Sequence, residues 1–143
     1  MNTADLTDTA SRLRRAVTQT NRRLRQSSLG GISPAQASML ASIDKAGNPS
    51  LGDLATLEQI QPPSVTRLVN MLVAQGLIVR TVDPSDRRCQ RVTLTASGRK
   101  EIARIRQRKT EFLERRLQEL SPADQQRAAD LVTLLEHLLG DGA

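Results

Sequence analysis

What this chain lacks narrows it before its motifs do. Phe112 is the sole aromatic residue, with Trp and Tyr absent. Readers of single-stranded nucleic acid stack bases on aromatic rings, so any nucleic-acid partner here is expected to be a duplex. Cysteine is confined to Cys89, which excludes an internal disulfide framework and fits a reducing compartment. There is one histidine, His137, in an apolar C-terminal stretch. With no Cys/His cluster, glycine-rich phosphate loop or Ser/His/Asp arrangement, neither a metal site, a cofactor nor a catalytic apparatus is expected, and the chain does not read as an enzyme. No apolar run approaches the ~18 residues needed to cross a bilayer. The start at Met1 also lacks the basic and apolar segments of a secretory signal, so a cytoplasmic protein with no membrane partner is expected. Acidic residues are in deficit. There are 21 Lys+Arg against 15 Asp+Glu, a net charge of +6, and this favours a polyanionic partner.

What is present is organised around residues 61 to 91. Val65, Leu68, Val69 and Leu72 recur at helical spacing and leave Ser64, Thr66, Arg67 and Asn70 on other faces. Pro62 and Pro63 are tolerated only at the opening of a helix, and Gly76 stops one, which gives a helix of about four turns. Leu77–Val82 and Arg91–Leu94 are rich in β-branched residues and read as two strands joined by the polar turn Asp83–Arg88. Helix, strand, basic turn and strand in that order predict a winged helix.

The flanks are helical. Asp5 to about Ser28 carries a narrow apolar seam, Leu6, Ala10, Leu13, Val17, Thr20 and Leu24, amid arginines read as a solvated or ion-paired face. Ser33, Pro34 and Gln36 supply an N-cap, a first-turn proline and a capping box for a second helix facing inward through Ala37, Met39 or Leu40, and Ile43. Ser50 caps a short third, with Leu51, Leu54, Ala55 and Leu57 as its apolar face. Thr95 caps a long helix that can run to about Glu119, in which Gly98 admits a neighbouring backbone. Ser121 and Pro122 start a last helix whose leucines lie on more than one face. The first and last helices thus carry more apolar surface than the winged segment needs. A two-fold homodimer built from them is expected. The chain reads as one domain, 1–143, mainly α with a small β-wing. Residues 33–98 form the winged helix-turn-helix lobe, and 5–32 and 99–143 the dimerisation helices.

The chemistry suits double-stranded DNA. The major groove admits a helix and distinguishes all four base pairs. Ser64 and Thr66 allow close approach, Arg67 supplies a long donor, and Gln61, Pro63 and Asn70 extend the contact surface, with amides suited to adenine. The first turn is expected to offer free N–H groups to phosphate as well. Arg87 and Arg88 crown the hairpin with Arg91 behind, and a cation on a narrow loop matches the negative potential of a narrow minor groove. Asp86 is expected to brace Arg88 in a bidentate pair and leave Arg87 free to reach out.

Ser64-Val65-Thr66-Arg67-Leu68-Val69, Leu72, Gly76-Leu77-Ile78, Asp83-Pro84-Ser85-Asp86-Arg87-Arg88 and Val92-Thr93-Leu94-Thr95-Ala96-Ser97-Gly98 together resemble the core signature of the MarR family of bacterial transcription regulators. The likeness is specific from about Ser50 to Gly98 and elsewhere extends to helix order. It implies a dimeric winged helix-turn-helix regulator, usually a repressor on a short palindrome. The recognition helix would enter the major groove and the wing arginine the minor groove. It also implies release by a small aromatic or anionic effector bound between the dimerisation helices and the DNA-binding lobe, although the sequence names no ligand-binding residues. Peroxide-sensing members carry a reactive cysteine near the N-terminus and this chain does not; Cys89 is read as a passive thiol. The competing reading is a dimeric winged-helix protein-interaction module that does not read DNA, and Arg67 together with Arg87 argues against it.

Overall fold

Polar caps set the helix boundaries of the protein, whose computed structural model describes residues 1–140; residues 141–143 of the expected C-terminal dimerisation segment lie outside them. Asn2 caps α1 (Thr3–Ser28) in a capping box with Asp5, a start two residues earlier than the apolar seam indicated. Ser33 with Gln36 closes the same motif on α2 (Pro34–Ala46), and Ser50 with Asp53 on α3 (Leu51–Glu58). Each box satisfies two N–H groups that a helix start otherwise leaves unpaired. Gln61 precedes α4 (Pro62–Ala74), and Gly76, at φ 73°, turns the chain out of it into β1 (Ile78–Val82). Then follow β2 (Gln90–Leu94), α5 (Ala96–Gln118) and α6 (Pro122–Leu139).

The two strands pair antiparallel, Ile78 opposite Leu94 and Val82 opposite Gln90. The far edge of β2 is covered near its start by the loop before α3, where the Val92 N–H donates to the Pro49 carbonyl at 3.0 Å. One core serves the lobe: Met39, Leu40 and Ile43 of α2, Leu54 of α3, Val65, Val69 and Leu72 of α4, Ile78 and Val92 of the wing, and Ile102 of α5. Leu57 does not join it. Expected on the inner face of α3, it is 55% exposed, because a helix this short buries one narrow stripe through Leu54 and ends at Gln59 in the left-handed conformation.

Thr95 fastens the wing to α5. Its hydroxyl donates to the Gly76 carbonyl at 2.6 Å and accepts from the Gly98 N–H at 3.0 Å, and its own N–H donates to the Leu77 carbonyl at 3.0 Å. Gly98 is buried there, and a β-carbon would run into the Leu77 carbonyl oxygen. That neighbour is backbone held by Thr95 and cannot swing aside. Gly98→Ala is therefore expected to destabilise the fold by about 1–3 kcal/mol, the usual cost of overpacking a filled site; an unchanged midpoint in urea denaturation would contradict this close approach.

Candidate nucleic-acid interface

The orientation of α4 follows from its own pattern. Val65, Val69 and Leu72 are fully or almost fully buried, so the helix has one permitted rotation. That rotation exposes Pro63, Thr66, Arg67 and Asn70, which recur every three or four residues and share one outward stripe. Ser64 is half-buried beside them, and Gln61 is exposed at the entrance. The Thr66 hydroxyl donates to the Pro62 carbonyl at 3.2 Å, which leaves its lone pairs to accept from outside. Arg67 has no carboxylate within pairing distance among the described residues. The helix N-terminus differs from expectation. Pro62 and Pro63 carry no N–H, and those of Ser64 and Val65 donate to the Gln61 carbonyl at 2.9 and 3.2 Å. The first turn keeps its dipole but has no free N–H groups for a phosphate.

The wing is shaped by its acids. Asp83 accepts from the Ser85 hydroxyl at 2.7 Å and the Ser85 N–H at 2.9 Å, while Asp86 accepts from the Arg88 N–H at 3.0 Å. Asp86 thus braces the backbone of Arg88 and not, as expected, its guanidinium. An Asx contact two residues on is the shorter reach for so short a side chain in a tight turn. Arg87 and Arg88 are consequently both exposed, and neither meets a carboxylate among the described residues.

Arg91 behaves otherwise. Grouped on sequence grounds with the DNA contacts, it is half-buried and turned back to the lobe. It donates to Asp83 Oδ2 at 3.0 Å and to the Asn48 carbonyl at 3.0 Å, with Asp53 at 3.9 Å. The Asp83 bond is also the main reason its pKa is raised. The cluster ties the wing base to the start of α3, whose Asp53 is held below the usual carboxylate range chiefly by Ser50. A residue missed in the sequence, Arg80 on β1, completes the surface by donating a guanidinium N–H to the side-chain oxygen of Asn70. The signal was its position two residues after the buried Ile78, which puts it on the strand face turned to α4.

A buried-stripe helix presenting Thr66 and Arg67, preceded by α3 and flanked by an arginine-tipped hairpin, defines a winged helix-turn-helix. The chain matches the MarR family over residues 32–90. It is 32% identical over 130 residues to the uncharacterized HTH-type transcriptional regulator Mb0904 of Mycobacterium bovis, covering 88% of this chain and 91% of that one. With the HTH-type transcriptional repressor MdtR of Bacillus subtilis it shares 35% identity over 68 residues, 48% of this chain and 44% of the relative. The transcriptional regulator Tm0710 from Thermotoga maritima has a similar fold, with a TM-score of 0.81 at 26% identity over 92% of this chain and 96% of that one. The chain belongs to the MarR family and is a transcriptional regulator of that type, with a DNA-binding helix-turn-helix. No helix among the described residues is long and apolar enough to cross a membrane.

The wing clamp has a pH signature. Hydrogen bonds from the Ser85 hydroxyl and backbone, then from Arg91, hold the Asp83 carboxyl at about 2 against an ordinary 3.8. A depressed carboxyl contributes stability that is present above its unfolded pKa and lost as the pH falls through the folded one. Asp83→Asn is therefore expected to be less stable than wild type by a constant margin above about pH 5, narrowing as the pH falls from about 4 towards 2. Urea unfolding across this range checks it; a margin independent of pH would contradict the clamp.

Proposed function

We propose that the protein is a homodimeric repressor that occupies a palindromic operator and releases it when a small anion binds. The observation that carries the operator reading is the contact of Arg80 with Asn70, which brings the wing strand against the exposed stripe of α4 that also carries Arg67. In this reading Thr66 and Arg67 meet base edges, with Gln61, Pro63 and Ser64 lining the entrance. Arg87 enters the minor groove and Arg88 grips its rim. Arg91 and Asp86 hold the wing in shape.

Dimerisation is supported by an apolar face that no described residue covers. No described residue of α6 is buried; Leu131, Val132, Leu134 and Leu138 are 47–64% exposed. Leu131 and Val132 line a groove with Leu13 and Val17 of α1 and Leu113 and Leu117 of α5. A second copy covers such a face by two-fold symmetry, which accounts for a palindromic site. The repressor sense is favoured by the likeness to MdtR, named as a repressor.

An effector site is supported by a cleft of about 250 Å³ between α1, α2 and α5, where Arg25, Arg106 and Lys109 converge over Ile102 and Ile105. Arg106 donates to Asp44 of α2 at 3.0 Å, so an anion drawn to it competes with a bond between the long helix and the lobe. No aromatic ring lines the cleft, which favours a carboxylate recognised by charge over one held by stacking.

Mobility shifts on the chain's own upstream region test this reading. Wild-type affinity should fall steeply with salt, with a log–log slope of several units if each subunit neutralises about three to five phosphates. Arg67→Ala should cost about 1–3 kcal/mol on the operator and relax sequence preference, while Arg87→Ala weakens all duplexes more evenly. Small carboxylates should release the wild-type complex. A flat salt response, or equal losses on operator and random DNA for Arg67→Ala, would contradict the assignments.

A further inference from the structure

Four arginines of this chain face carboxylates: Arg91 is paired with Asp83, Arg106 with Asp44, Arg104 with Glu101 and Arg127 with Asp124. Others, such as Arg99 and Arg108, donate to backbone carbonyls. Arg80 is set apart by where its neutral partner lies, on the exposed stripe of α4. It is exposed, its partner is the neutral Oδ1 of Asn70, and no carboxylate lies within pairing distance among the described residues. An amide oxygen fixes the direction of a guanidinium and leaves its charge intact. One contact also occupies only part of a five-donor fork.

The placement decides what the remaining donors can meet. Asn70 lies seven residues beyond Pro63 on the exposed stripe of α4, about 10 Å along the helix axis. The first turns of a recognition helix take the base edges. A groove about 12 Å wide therefore has its phosphate wall, not its floor, near the third turn. Across the strand pair Arg80 stands opposite the buried Val92, so its backbone is fixed in the sheet and its side chain has a short way to travel.

We propose that Arg80 is a further DNA-contacting residue, a phosphate clamp at the major-groove edge, and that Asn70 is its positioning residue and not a reader of bases. This rests on the DNA-binding reading of α4 and adds a residue to it. Asn70 holds the guanidinium against the end of the reading stripe, so that lodging α4 in the groove brings an oriented, uncancelled cation against the backbone. The contact carries no sequence information and contributes alike on operator and random duplex.

Fluorescence anisotropy of the full-length protein on labelled operator and random duplexes, across a salt series, tests this, with circular dichroism confirming the fold of each variant. Arg80→Ala should lower the log–log salt slope by about 0.9 per subunit on both duplexes, and the wild-type to variant affinity ratio should grow roughly eightfold per subunit for each tenfold dilution of salt. Arg80→Lys should retain most of the slope, since an ammonium still pairs with phosphate as a point charge. Asn70→Asp changes one atom, places a carboxylate against the guanidinium, and should reproduce the loss seen for Arg80→Ala. An unchanged slope in Arg80→Ala, a loss confined to the operator, or Asn70→Asp binding as wild type would each overturn the proposal while leaving the operator reading intact. Wild-type protein that binds neither duplex would overturn both.

Discussion

Burial of Val65, Val69 and Leu72 is the constraint on which the rest depends. A helix with one apolar stripe sunk in the core has no freedom to choose which polar side chains face outward, so packing sets the stripe that carries Thr66, Arg67 and Asn70, and the bonds of Thr66 to the Pro62 carbonyl and of Asn70 to Arg80 act within it. The elements that follow are pinned close by. Gly76 turns the chain, Leu77 lies under Gly98, and Thr95 bonds both the turn and the helix it caps. Recognition helix, wing and α5 therefore meet within a few residues, and a shift of one is felt by the others.

Electrostatics separate some of the basic residues. Arg91 at the wing base and Arg106 between α5 and α2 hold elements together by facing carboxylates, while Arg108 joins α5 to the end of α1 through the Ser28 carbonyl. Arg67 on α4, Arg80 on β1 and Arg87 and Arg88 at the hairpin tip are exposed and meet no carboxylate among the described residues. The net charge of +6 is thus less informative than its distribution. In the proposed complex the exposed arginines of α4 and the wing supply attraction to a polyanion, and the paired Arg91 keeps the wing in place.

The elements themselves were legible because their signals are local. Ser33 with Gln36, Ser50 with Asp53, Thr95 and Ser121 each announce a helix start by a bond to a residue three positions on, and all four bonds are present. Gly98 was legible for a similar reason, since so small a residue in a helix's first turn signals a close approach. Side-chain partnerships were less accessible. Charge composition does not say whether Asp86 turns to a guanidinium or to an amide, nor that Arg91 reaches 43 residues back to Asn48. Arg80 escaped notice because a lone arginine in a β-branched strand looks like ordinary surface until Asn70 is seen beside it. The exposure of Leu57 is a matter of helix length, which the periodicity of eight residues cannot resolve.

Two recognition helices related by a dyad should leave a particular trace on DNA. Guanine-N7 methylation interference on the bound upstream fragment, read together with minor-groove protection, tests this arrangement most directly. The expected result is two major-groove clusters with centres about one helical turn, roughly 34–36 Å, apart, each flanked by a protected stretch of minor groove where the Arg87 loop enters. Interference confined to a single cluster, or protection spread along the backbone with no major-groove signal, would contradict it.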